Sequence, residues 1–265
     1  MKRAMGTAIL CFGLAANAAA LAQDMMRYID LSSPEMTSAE MTRGDVETAL
    51  DKASGGPPPD FTGKRLSGLD LSGLNLSGAI LRAARLNKTK LAGARLDRAV
   101  LDQAWLVEAD LTGASLKGAA LFASQMLRAH LDGADLSEAR VAADLTGASL
   151  VGASIANAHL GADMRNQSMG LMRAVLKSAN LERVNARGAD MSRVDLEFAS
   201  LKGADLTGAS LKGAELGGAD LTGVTVVDTD FDGADLGSAK LIAPIGLDKA
   251  KNFDKVKNRE RLIRK

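Results

Sequence analysis

The chain has 265 residues, 46 % of them hydrophobic and 25 % charged, with a net charge of +1, an ordinary composition for one or two globular domains. Aromatic residues make up only 3 %, with one Trp and one Tyr, which argues against a layered core filled by ring side chains. A single Cys excludes an internal disulfide, and two His leave little for a histidine-built metal or catalytic centre.

At the N-terminus, Lys2 and Arg3 precede an apolar stretch from Ala4 to Ala16 and a small-residue ending, Ala20-Leu21-Ala22. This is the pattern of a secretory signal peptide over residues 1–22. It predicts cleavage between Ala22 and Gln23 and a periplasmic or secreted mature chain, since the apolar run is too short to span a bilayer. Leu10 precedes Cys11 where a lipoprotein signal would carry a small residue, so no lipid anchor is expected.

Residues 23–58 read as an arm with a capping helix. Thr37 and Glu40 fit a capping box, and Val46, Ala49, Leu50 and Ala53 form an apolar stripe at helical spacing. Gly55-Gly56-Pro57-Pro58-Pro59 forms a short stiff joint.

Residues 59–243 repeat every five positions. Of the seventeen residues at this spacing from Phe61 to Val141, fourteen are Leu, the others being Phe61, Met126 and Val141. Two positions before each of these centres, from Ala79 to Ala139, Ala occupies eleven of thirteen places, with Thr89 and Ser124 the exceptions. A period of five matches neither a helix nor a strand, but it lets every centre share the inside of a solenoid whose sides are five residues long. The period slips by one residue between Val141 and Leu145 and breaks between Gly161 and Gly170 before Leu171 resumes it. Loops projecting at such breaks often carry binding residues, which makes Arg165, Asn166 and Gln167 a candidate site.

In residues 244–265, Pro244 is read as the end of the repeat. Leu247, Ala250, Phe253 and Val256 then line one side of a short closing helix, followed by a basic tail.

The phrases Ala109-Asp110-Leu111-Thr112-Gly113, Ala134-Asp135-Leu136-Ser137-Glu138 and Ala204-Asp205-Leu206-Thr207-Gly208 resemble the pentapeptide repeat family: Ala, then Asp or Asn, then a central Leu or Phe, then two small or polar residues. The resemblance implies an all-β solenoid, a right-handed quadrilateral parallel β-helix with twenty residues per coil and about nine coils. At one strand spacing per coil this is a rod roughly 43 Å long. On such coils Leu66, Leu86, Leu106 and Met126 form one interior ladder and Leu71, Leu91, Leu111 and Leu131 the next, each side chain contributing about 1.5–3 kcal/mol on burial. The open strand edges at the two ends need covers, which the terminal segments are expected to supply.

Charge is distributed unevenly. Residues 23–63 hold three basic and eight acidic side chains against eight and two in residues 64–98; residues 195–235 hold two and nine against eight and three in residues 244–265. Each terminal segment is therefore expected to lie over an end of opposite sign, although exposed pairs contribute little individually. The run Lys249 to Lys265, with Arg259, Arg261 and Arg264, also reads as a patch for an anionic lipid or nucleic-acid surface.

Side chains just before the centres point outward, so Arg65, Arg85, Trp105, Gln125 and Asp144 stack along one side. Arg85 is expected one rung from Trp105, within cation–π reach, with Val107 and Leu127 exposed beside them as a binding hot spot. Chemistry is sparse. His130 and His159 fall on opposite sides of the rod and cannot share a metal. The Asp column (Asp110, Asp135, Asp205, Asp220, Asp235) reads as a solvated face with local backbone bonds, and no nucleotide-binding glycine loop precedes a helix.

No catalytic role, cofactor or small-molecule substrate is expected. The leading functional class is an exported structural or interaction scaffold in the periplasm or envelope, with an unidentified protein partner and a homodimer as a further option. The resemblance also admits a DNA-mimicking protein that binds and protects gyrase. The signal peptide and the nearly neutral repeat region, 20 basic and 21 acidic residues over 64–243, weigh against it. The third class is anionic lipid or nucleic-acid binding through the basic end and tail.

Overall fold

The computed structural model describes residues 30–53, 55–162 and 172–265. The chain divides into two compact units, Met1–Leu31 and Ser32–Lys265; nearly everything described belongs to the second, a right-handed β-helical solenoid.

Parallel bridges join each outward residue to the one a coil later, and they fall into four ladders. We name the faces by their first residues. The Asp60 face runs Asp60, Ile80, Val100, Ala120, Arg140, His159, Asp190, Ser210, Asp230, Lys251. The Arg65 face runs Arg65, Arg85, Trp105, Gln125, Asp144, Val175, Asp195, Glu215, Asp235, Lys257. The Asp70 and Asn75 faces follow the same step and reach Ile263 and Ile245. His130 lies on the Asp70 face and His159 on the Asp60 face, so the two imidazoles stand on opposite sides.

Inside, the centre residues and the small column are sealed from water: Leu66, Leu71, Leu91, Leu106, Met126 and Leu131 have no exposed surface and Leu86 and Leu111 at most 1 %. Where the small column departs from Ala, Thr89 Oγ1 donates to the Leu66 carbonyl at 2.9 Å and Ser124 Oγ to the Leu121 carbonyl at 3.1 Å, so both buried hydroxyls are satisfied. The slip at Val141 costs one residue: Gln125 pairs with Asp144, nineteen positions on. After His159 the next level is Asp190, and the Ala174 N–H donates to the Leu160 carbonyl, so the solenoid resumes beyond the break. Gly161 stands at that junction, where a Cβ would lie 2.9 Å from the Ser192 carbonyl oxygen; any larger residue would push the two coils apart.

The arm contains α1 (Pro34–Thr37) and α2 (Arg43–Lys52). The capping box lies five residues later than the sequence pattern placed it, at the start of α2. Thr42 and Asp45 form it, Thr42 Oγ1 accepting from the Asp45 N–H and the Asp45 carboxylate accepting from the Thr42 N–H. Thr37 instead ends α1, and Glu40 serves the solenoid: its N–H donates to the Arg65 carbonyl at 2.9 Å, and its carboxylate accepts from the Arg65 N–H at 3.2 Å. The Arg43 guanidinium donates to the Asp70 carbonyl at 3.0 Å. The arm thus satisfies the first strand edge on two faces, the protection an open edge requires. Val46 of α2 is fully buried, and Met41, Ala49 and Leu50 pack beside it on the core.

At the other end, residues after Pro244 form no single closing helix. They continue the solenoid as a further coil with six-residue sides: Ile245, Lys251, Lys257 and Ile263 bridge to Thr225, Asp230, Asp235 and Lys240. The corners are three short 3-10 turns, Leu247–Lys249, Phe253–Lys255 and Arg259–Arg261, each entered through a left-handed residue, Gly246, Asn252 or Asn258. Phe253 turns inward, edge-on to Phe231 with ring centroids 5.4 Å apart, and plugs the end of the core.

Candidate interaction face

The Arg65 face places Arg85 and Trp105 on adjacent rungs, as the spacing predicts. Their expected cation–π contact is replaced by another partner: Arg85 Nη2 lies 3.9 Å from the Glu35 carboxylate of α1. Among the described residues the cation–π contact found is Arg259 over Phe253, at 5.2 Å. The arm pulls Arg85 aside because its acidic side chains lie along this face, with Glu40 also 3.5 Å from Lys64 Nζ. The Arg65 N–H, with the charges of Lys64 and Arg65, holds the Glu40 carboxyl below the usual carboxylate range.

Val107, expected to be exposed, is buried at 5 %. The reason is Asn87, one coil earlier in the same column. Its Nδ2 donates to the Met36 carbonyl and its Oδ1 accepts from the Val107 N–H, both at 3.0 Å. Ser67, Asn87 and Met36 are buried with it. Trp105, Gln125 and Leu127 remain half-buried beyond this point, so the accessible part of the predicted hot spot is Trp105 and Leu127, flanked by Gln125. The other predicted group, Arg165, Asn166 and Gln167, lies outside the described residues, as do Ala22 and Gln23.

Asn87 was not legible as a site residue, because a polar residue one position after a centre is common in this repeat, as at Ser72, Thr112 and Thr207. Charge complementarity at the arm was legible. At the C-terminal end it is realised by Lys251 with Asp228 at 3.6 Å and Lys255 with Asp232 at 3.8 Å.

The Asp column makes the local bonds expected of it. Asp110, Asp135, Asp205, Asp220 and Asp235 each accept through Oδ1 the N–H two residues later, at 2.9–3.1 Å. These carboxylates fasten turns rather than converge on a reacting atom. Among the described residues, no three His, Cys, Asp or Glu side chains are placed to hold a metal ion, and no helix is long and apolar enough to cross a membrane.

The match to a family model agrees with this geometry. A family model described as pentapeptide repeats matches in eight copies over residues 60–98, 94–121, 171–208 and 199–237. No curated protein sequence matches. Among solved structures the chain is similar to HetL, a pentapeptide repeat protein involved in heterocyst differentiation regulation from the cyanobacterium Nostoc sp. strain PCC 7120. Identity is 27 % over 82 % of this chain and 94 % of that one, with a TM-score of 0.46. It is also similar to full-length QnrB1, a plasmid-mediated fluoroquinolone resistance protein (21 %, 74 % and 84 %, 0.30), and to a pentapeptide repeat protein of the Arabidopsis thaliana thylakoid lumen (27 %, 41 % and 70 %, 0.23). Between the matched blocks the bridges from Gln125 to Asp144 and from Arg140 to His159 keep the same ladders. With the repeat phrases, the ladders and the eight matched copies in agreement, the chain belongs to the pentapeptide repeat family.

Proposed function

We propose that this protein is a non-catalytic scaffold, exported and processed before Gln23, that binds a protein partner in the periplasm or envelope through the Arg65 face. The observation that carries this reading is the half-buried Trp105 with Leu127 one rung away, on a flat ladder just past the point where the arm's contacts end. An aromatic side chain with an aliphatic neighbour on a preorganised flat surface is the composition of an interface anchor. Rigid coils lose little conformational freedom when a partner docks.

The test is a photo-cross-linking residue at Gln125 in the native host, combined with fractionation and intact-mass measurement. A periplasmic chain beginning at Gln23, cross-linked to one protein and losing that adduct in Trp105→Ala, is the expected result. A full-length cytoplasmic chain would overturn the export reading and make gyrase inhibition the next assay. An adduct that survives Trp105→Ala would move the contact off this face.

A further inference from the structure

The last coil carries a surface that the protein-partner reading does not use. From Lys257 to Lys265 the side chains Lys257, Arg259, Arg261, Arg264 and Lys265 face a single carboxylate, Glu260, and all six are exposed. Lys251 and Lys255, earlier on the same coil, are neutralised by Asp228 and Asp232. Among the described residues, none of the five cations of the arc has a carboxylate partner: Arg259 lies over the Phe253 ring, and Arg261 donates to Ser238 Oγ at 3.4 Å.

Within this arc stands Ile263, 42 % exposed, and on the adjacent face of the same coil Ile245, 58 % exposed. With Phe198 these are the large hydrophobic side chains that the described residues leave in solvent. Both stand at outward positions of their ladders, where the preceding rungs carry Lys240 and Thr225. A six-residue side also gives each side of this coil one more position than the five-residue sides before it.

We infer that this end of the solenoid docks on an anionic phospholipid bilayer, the cations meeting headgroup phosphates and Ile263 and Ile245 entering the interfacial layer. Clustered cations around protruding aliphatics are the composition of an interfacial membrane contact. Nucleic acid fits less well: the arc offers no accessible ring for base stacking, since Phe253 is 9 % exposed and packed against Phe231. The inference does not depend on the contact proposed at Trp105.

The test is vesicle flotation of the full chain with phosphatidylcholine vesicles and with vesicles containing phosphatidylglycerol. The readout is the ratio of the two affinities, compared between the parent chain and variants of the arc, so that the contribution of the N-terminal residues, Lys2 and Arg3 included, is common to both. Each cation near an anionic surface contributes about 1 kcal/mol, or roughly five-fold. Lys257→Ala with Arg264→Ala is therefore expected to lower the ratio on the order of 25-fold and raised salt to abolish it. Ile263→Ser is expected to weaken binding to the anionic vesicles several-fold with an unchanged circular dichroism spectrum. A ratio near one for the parent chain, or a ratio unmoved by the double substitution, would overturn the inference. Binding to duplex DNA without preference for anionic vesicles would likewise overturn it and assign the arc to nucleic acid.

Discussion

Asn87 holds Met36 to the solenoid: its amide donates to the Met36 carbonyl at 3.0 Å, while the same side chain accepts the Val107 N–H on the next coil. The arm is therefore fixed by a buried polar link and by the Glu40–Arg65 edge bonds, with the looser Glu35–Arg85 pair contributing less because it is partly exposed. Replacing Asn87 by Ala orphans a buried carbonyl and a buried N–H, at about 1–3 kcal/mol each. We expect Asn87→Ala to accelerate hydrogen exchange in residues 36–46 and to expose Val107, leaving residues 196–236 protected. Uniform loss of protection along the rod would contradict this assignment.

Phe198 rests on the corner at Gly218. Gly218 has φ +69°, and a Cβ there would lie 2.6 Å from the Phe198 ring. Gly218→Ala therefore meets two obstacles, a left-handed backbone that costs Ala about 1–2 kcal/mol and the ring. Because Phe198 is 65 % exposed, its ring can swing away, so the backbone part should dominate. Urea unfolding of Gly218→Ala, Phe198→Ala and the double variant is expected to give a coupling of about 0.5 kcal/mol or more. Strict additivity would show that the ring does not sit on the corner in solution.

What could be read from the sequence followed from strict periodicity. The centre residues and the Ala column recur every five residues, and the Asp turns return at a fixed place in the repeats that carry them, so that these copies report the same environment. The C-terminal coil misled for the opposite reason. Its inward residues Leu247, Ala250, Phe253 and Val256 occupy two places on each six-residue side, a spacing of three that imitates one face of a helix. Only a few six-residue sides were present to reveal the longer period, although Gly246, Asn252 and Asn258 mark it in hindsight as left-handed corner residues. The burial of Val107 was not legible because it depends on where a non-repeating arm lands. Neither Met36 nor Asn87 departs from its local pattern in a way that announces the contact.

Leu111 is buried to 1 % or less and belongs to a ladder with Leu91 and Leu131. Leu111→Ala should cost about 2–5 kcal/mol, as for other buried leucines. In a solenoid each coil contacts only its neighbours, so the loss should be local before it is global. Hydrogen exchange is expected to rise first at the coils bearing Leu91 and Leu131 and least at Leu216 and Leu236. Equal acceleration at both ends would mean that the rod unfolds as one cooperative unit.

Two carboxylates should respond to pH with opposite sign. Asp110 is held below its ordinary value of 3.8, chiefly by the Thr112 hydroxyl and against a smaller effect of burial. Its contribution to stability is present above that value and is lost as pH falls through the lowered folded-state value. Asp195 is pushed up, chiefly by burial and further by Glu215 and Glu197, with the Glu197 N–H and Lys177 opposing. Its ionised form therefore weakens the fold once pH exceeds the raised value, and protonation relieves the strain. Asp195→Asn keeps an acceptor for the Glu197 N–H, and Lys177 keeps Glu197 at 2.8 Å. In urea titrations across pH, Asp195→Asn is expected to be more stable than the parent at pH 7, with the gap closing in acid. Asp110→Asn is expected to be less stable at pH 7, with its gap closing as pH falls below the ordinary value of 3.8 and through the lowered folded-state value. Parallel curves for the two variants would show that burial of Asp195 does not outweigh its partners.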